Sequence, residues 1–197
     1  MSNPRGTRER VEQAAEAIVR KEGVSGLTMR RLAEKADVAL KTPYNLFGSK
    51  TGVLLALLDR TTAALLDELL ADQSSLAIRQ LLNALDTLGR FYRADEDYFR
   101  VIFWAVMTSD HPQERAAAHA NIIAIVSAKT AEALAKKELA ADTNAESLGE
   151  HLGLNLLANL GSWAGGHLSM AETIDHTRAV WIALLSTKAT RKAKSVL

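Results

Sequence analysis

An all-α fold is predicted by three features of the chain. Apolar residues recur at spacings of three and four along most of its length, no segment alternates with the two-residue period of a half-buried strand, and Gly, Pro and Asp punctuate the periodic blocks. The expected organisation is an amino-terminal head of three helices at residues 1–50, the second and third forming a helix-turn-helix, followed by a carboxy-terminal helical bundle at residues 51–197. With 197 residues, 48% of them apolar, the chain can bury a real core.

The first helix is predicted over about residues 7–22. Val11, Ala14, Ala15, Ile18 and Val19 keep one apolar stripe, and Gly23 supplies a stop. Thr28 is the expected cap of a short second helix that turns Met29, Leu32, Ala33 and Ala36 inward and Arg30, Arg31, Glu34 and Lys35 outward. Asp37 and Val38 break this stripe. A second stripe reads as beginning at Leu40 and closing with Tyr44 and Phe47, which leaves Lys41, Thr42 and Asn45 facing outward. Such a helix pair is the geometry that puts side chains into a major groove.

A long helix then starts near Lys50, carries Val53, Leu54, Leu57, Leu58, Leu65, Leu66 and Leu69, and ends around residues 72–75 as a spacer between head and body. Further helices are expected over residues 76–93, 95–109, 112–139, 144–165 and 171–190, separated by Asp110, Pro112, Gly165 and Gly166.

The formal net charge of +1 conceals an uneven distribution. Residues 1–60 hold 11 Lys or Arg against 7 Asp or Glu, residues 61–178 hold 9 against 16, and the segment from Ala179 onward holds 4 against none. A basic amino-terminal third joined to an acidic body is the footprint of a protein that presents one end to phosphates.

Other classes are set aside by what the sequence lacks. No apolar run reaches the roughly 18 residues of a membrane-spanning helix, and the start lacks the apolar core of a secretory signal, so a cytoplasmic protein with no membrane partner is expected. The chain has no cysteine, hence no disulfide, thiolate zinc site or thiol nucleophile. The histidines at 111, 119, 151, 167 and 176 have no metal-ligand spacing, and no Gly-rich phosphate loop follows a strand. No catalytic residue, metal or cofactor is expected, and the chain does not read as an enzyme.

The run from Thr28 to Leu54, with Thr28, Ala33, Ala36, Val38, Tyr44, Phe47, Ser49 and Lys50 in place, resembles the head of the TetR family of bacterial transcriptional regulators. That resemblance implies a three-helix DNA-binding head, a fourth linking helix, and a body of five or six helices that dimerises and often holds a ligand. Lys50 and Thr28, each at a helix start, are then expected to hold phosphates and fix register. Tyr44 resembles the family's phosphate-contacting tyrosine, and Thr42 adds a hydroxyl. Lys41 and Asn45 are the candidates for base edges, since Lys suits guanine acceptors and Asn suits the donor and acceptor pair of adenine. Arg5, Arg8 and Arg10 are candidates for backbone or minor-groove contacts from an amino-terminal arm.

Four positions depart from the family pattern. Asp37 stands where Gly is usual, Ala39 where a capping Ser or Thr is common, and Leu46 where His is frequent. Pro43, counted from a cap at Ala39, would delete the first backbone bond of the recognition helix. The regular part of that helix is therefore expected to begin late, near Thr42, with Leu40 and Lys41 in a tighter turn.

In the body, six of the ten aromatic residues fall between Phe91 and Trp104. Phe99 and Phe103 share a helical face with Met107, and this set, with His119 as a polar contact and Asn159 and Trp163 from a later helix, is the candidate lining for a small apolar ligand. Plain core packing accounts for the same aromatic spacing, and both readings stay open. Residues 148–165 are apolar on most sides, with Gly153, Gly161 and Gly165 permitting close approach, and together with residues 171–190 they resemble the family's dimer-forming pair. Asn155 and Asn159 each need a partner if buried. The sequence thus reads as a homodimeric regulator of double-stranded operator DNA, most simply a repressor released by a small apolar ligand. The alternative is a TetR-like protein controlled by a protein partner, with no ligand pocket.

Overall fold

The structure, a computed structural model, describes residues 4–70, 72, 74 and 76–197. Among these residues the chain is helical throughout, with no strand beyond one isolated antiparallel bridge between Leu139 and Ala189. In order, the helices are α1 (Pro4–Gly26), α2 (Met29–Lys35), α3 (Lys41–Phe47), α4 (Lys50–Leu70), α5 (Ala77–Arg93), α6 (Glu96–Met107), α7 (Pro112–Ala135), α8 (Ala145–Ala164) and α9 (Met170–Ser186), with a 3-10 turn at Lys194–Val196. The all-α expectation and its order of helices hold. The side chains of Leu66 and Leu69 lie outside the described set.

The chain divides into two compact units, one of residues up to Ala63 with Glu96–Arg115, the other of Ala64–Asp95 with Ala116–Leu197. In the first, the α1 stripe is buried as its periodicity requires, with Val11, Ala15 and Ile18 at 2% exposure or less. Gly23 interrupts α1 at φ 69° and ψ −178°, a conformation open to glycine and costly for other residues, so the sequence stop is a real break inside the longer span. Leu27, Leu32 and Ala33 from the α2 region and Val53, Leu54 and Leu57 from α4 complete this core. α6 adds Phe99, Ile102, Phe103 and Val106, and the Arg20 guanidinium lies 4.1 Å above the Tyr98 ring. Glu16 accepts from both Arg20 and Arg60, tying α1 to α4.

In the second unit Ile78, Leu81 and Leu85 of α5, Leu152, Leu156 and Leu160 of α8 and Ile174 and Leu185 of α9 are buried, with α9 packed against both α5 and α8. The Trp181 indole N–H donates to the Leu152 carbonyl at 3.0 Å, which satisfies the polar atom of a fully buried side chain. The start of α5 has no side-chain cap of its own. Its amides are instead capped from 60 residues away by the buried Glu138 carboxylate, which accepts from Ala77 N at 3.0 Å and Ile78 N at 2.9 Å. The Glu138 carbonyl accepts from Thr190, beside the Leu139–Ala189 bridge.

Two expectations for the body are corrected. α7 ends at Ala135, four residues before the expected Leu139, because Lys137 adopts φ 59° and closes a Schellman turn in which Glu138 N bonds Ala133 O and Lys137 N bonds Leu134 O. The α8 glycines are only partly free for another chain. A Cβ on Gly149 would lie 2.5 Å from Ser127 Cα and one on Gly153 would lie 3.0 Å from Ile123 Cα, so both serve close packing on α7 within the subunit. α8, apolar on most sides, has an open face: His151, Leu154 and Ala158 are exposed.

Candidate nucleic-acid interface

The helix-turn-helix is built from two seven-residue helices whose ends are fixed by local chemistry. Thr28, extended at φ −125°, accepts from Arg31 N at 3.2 Å and starts α2. Its hydroxyl proton can still donate outward, so capping does not exclude a phosphate contact. α2 stops at Ala36, where Asp37 takes the left-handed conformation at φ 51°. Asp37 N bonds Glu34 O and Val38 N bonds Ala33 O, a complete Schellman closure. Asp therefore occupies the family's Gly position by adopting the conformation that Gly adopts more cheaply.

α3 begins at Lys41 with Leu40 as its cap residue, helical in its own angles and making no side-chain cap bond. Thr42 N bonds Ala39 O at 2.8 Å, a tight turn immediately before Pro43. The helix thus starts one residue earlier than the expected region of Thr42. Pro43 costs little here because it is the third helical residue, among the amides that have no intrahelical acceptor in any case. It is also the buried residue of α3, while Leu46 and Phe47 are half-buried. The inward stripe is therefore Pro43 with Leu46 and Phe47, not the expected Leu40, Tyr44 and Phe47. Leu40 stands 49% exposed and Tyr44 50% exposed.

This rotation sets the outward face. Lys41, Tyr44 and Asn45 are exposed and Thr42 is half-buried, so four of the six residues singled out for DNA lie on or beside one side of α3. Gly48 ends α3 at φ 72°, and Ser49 then caps α4 by accepting from Gly52 N at 2.9 Å. Lys50, the first residue of α4, is half-buried, and this burial pulls its ammonium below the usual lysine value. A phosphate beside it would favour the charged form.

Arg8, assigned by the sequence to a DNA-contacting arm, turns back on the protein. Its guanidinium bonds Glu12 at 2.9 Å, lies 4.7 Å above the Phe47 ring and donates to the Leu46 carbonyl at 3.5 Å. It braces the end of α3. Sequence reasoning missed this role because nothing in residues 5–10 signals a contact 38 positions away. Arg5 and Arg10 are exposed on α1.

The ligand candidates are split between the units. Phe99 and Phe103 are buried and Met107 half-buried on α6, in the first unit. His119 is half-buried on α7, and Asn159 and Trp163 sit on α8, in the second. Asn159 Nδ2 donates to Thr177 Oγ1 at 3.0 Å, and Trp163 is fully buried with its ring 5.3 Å from that of Tyr92. Burial pushes the Tyr92 phenol up to about 12. The neighbouring Asn155 keeps a buried Oδ1 with no hydrogen-bond partner among the described residues. A groove of about 440 Å³ in the second unit is lined by Glu68, Asp72, Asn83, Asp86, Thr87 and Arg90, a polar surface rather than an apolar cavity. The α8 and α9 pair carries exposed small and apolar side chains at Leu154, Ala158, Ala179, Val180 and Ala183, and a Cβ built on Gly161 meets nothing within 4 Å.

Residues 13–57, which include all of α2 and α3, match the family described as bacterial regulatory proteins, tetR family. No curated protein matches the sequence. The whole chain is similar in fold to solved regulators. FadR of Thermus thermophilus, a TetR family repressor in complex with lauroyl-CoA, aligns at TM-score 0.75 with 22% identity, over 89% of this chain and 93% of that one. TylP, a TetR regulator from Streptomyces fradiae, aligns at 0.69 with 16% identity, over 100% and 92%. FadR of Bacillus halodurans, a fatty acid degradation regulator, aligns at 0.66 with 14% identity, over 94% and 96%.

Proposed function

We propose that this chain is a TetR family transcriptional regulator, a cytoplasmic homodimeric repressor that reads a two-fold operator with α3 and leaves it when a small apolar molecule occupies its body. The observation that carries the DNA-reading role is the face of α3 that exposes Lys41, Tyr44 and Asn45, with Thr42 beside them. Lys41 and Asn45 carry donors and acceptors suited to base edges, while Thr28, Thr42, Tyr44 and Lys50 supply donors suited to phosphate oxygens.

One head offers too few contacts for a specific site, and two related by a two-fold axis read half-sites about one helical turn apart. Helices α8 and α9 are the proposed dimer seam; the sequence places this pair near residues 148–165 and 171–190, and α9 ends four residues sooner, at Ser186. Their open face is apolar and small, and Gly161 leaves room for the backbone of a second copy. Release by ligand draws support from the acyl-CoA complex of the Thermus FadR. A ligand shifts the balance only by its differential affinity for the DNA-competent and incompetent shapes.

Selection of duplexes from a random pool by the full chain tests the reading. Enrichment of an inverted repeat with half-site centres about 10 base pairs apart is expected. A pool that stays random through repeated rounds at low salt refutes it.

A further inference from the structure

The periodicity of the recognition segment assigns Leu40 to the buried side, and the structure turns it outward. Leu40 is 49% exposed, and Tyr44, one turn along at i+4, is 50% exposed. Lys41 and Asn45 flank them on the same exposed side. A branched aliphatic side chain therefore stands on the same surface as the polar groups that the proposed function assigns to DNA. An isolated exposed leucine on an ordinary surface needs no explanation. Here the position is tightly determined: Pro43 is buried, Thr42 N bonds Ala39 O, and both fix the turn that carries Leu40.

The major-groove edge of a duplex offers an aliphatic side chain one apolar group, the C5-methyl of thymine. We propose that Leu40 is a specificity-determining residue that packs on the C5-methyl of a thymine in each half-site. The inference rests on the DNA-reading role of α3. It adds the base that this position selects: Leu40 has no donor or acceptor with which to read guanine, adenine or cytosine. The preference for thymine comes from apolar area removed from water on both partners.

The test uses the duplex that the full chain selects from a random pool, with each thymine replaced in turn by deoxyuridine, which deletes the methyl and leaves the remaining base edge intact. Wild-type binding is expected to weaken about fourfold per half-site at one thymine position, the fold-change that corresponds to about 0.8 kcal/mol for one buried methyl-sized group. Leu40→Ala, a truncation at a half-exposed position that leaves the head's core untouched, is expected to bind the thymine and uracil forms of that position equally. The inference is overturned if no deoxyuridine substitution weakens wild-type binding, or if Leu40→Ala keeps the same discrimination at the same position. Those outcomes leave DNA binding itself standing. A chain that binds no duplex at all removes both the DNA-reading role and this contact.

Discussion

Replacing Gly52 by Ala should disrupt the head although it removes the poorest helix former but proline from the first turn of a helix. A Cβ built at Gly52 lies 1.9 Å from the Phe47 carbonyl oxygen and 3.1 Å from its carbon. Carbon and carbonyl oxygen approach to about 3.3 Å at closest, so roughly 1.4 Å of movement is needed, and the obstructing atom is backbone. The carbonyl belongs to the last residue of α3 and accepts from Ser49 N at 2.8 Å, so it cannot move alone. Against about 1 kcal/mol gained in helix propensity stand about 1–3 kcal/mol of overpacking and about 1 kcal/mol for the lost hydrogen bond. A net loss of about 1–3 kcal/mol is expected, a fall in Tm of about 2–12 °C for a chain of this size. Because the movement falls on α3, DNA affinity should drop as well. Thermal unfolding at one fixed protein concentration and anisotropy with a labelled operator duplex read the two effects. A variant as stable as wild type with unchanged affinity would refute the claimed backbone approach.

Three further outcomes follow from the described contacts. Glu138→Ala leaves the Ala77 and Ile78 amides buried without an acceptor and should cost about 2–5 kcal/mol in urea unfolding, while Glu138→Gln, which keeps one acceptor oxygen, should cost clearly less. Arg8→Ala should weaken operator binding while leaving the dependence of log affinity on log salt unchanged, because Arg8 braces Leu46 and Phe47 rather than a phosphate; a shallower slope would restore it to the DNA-contacting arm. In the α9 capping box the Ser169 amide and hydroxyl hold the Glu172 carboxyl below its usual value. A lowered folded-state value gives stability that is present above the unfolded carboxylate range and lost as pH falls through the folded value. Glu172→Gln should therefore flatten the acid limb of the Tm-against-pH curve, and an unchanged limb would contradict the assignment.

Long periodic segments were legible in the sequence because burial of one face repeats over many turns. The α1 stripe, the order of the later helices and the caps at Thr28 and Ser169–Glu172 all leave such local signals, although the last was not among the sequence expectations. The register of α3 is not legible in the sequence because seven residues give two turns, and apolar residues at 40, 43, 44, 46 and 47 fit more than one stripe. Only the packing of Pro43 chooses between them. The end of α7 was missed because a lysine, not a glycine, takes the left-handed position at 137. The caps and braces that join distant segments, Glu138 on α5 and Arg8 on α3, depend on tertiary placement and have no local signature.

The central claim is that Lys50 grips the phosphate backbone while the exposed face of α3 reads bases. Affinity for the selected duplex measured between 50 and 200 mM salt, for wild type, Lys50→Ala and Asn45→Ala, tests it most directly. A straight line of log affinity against log salt is expected for wild type, a slope shallower by about 0.9 per lost phosphate contact in Lys50→Ala, and an unchanged slope with altered base preference in Asn45→Ala. A wild-type line with no salt dependence, or a slope lost in Asn45→Ala and kept in Lys50→Ala, would contradict it.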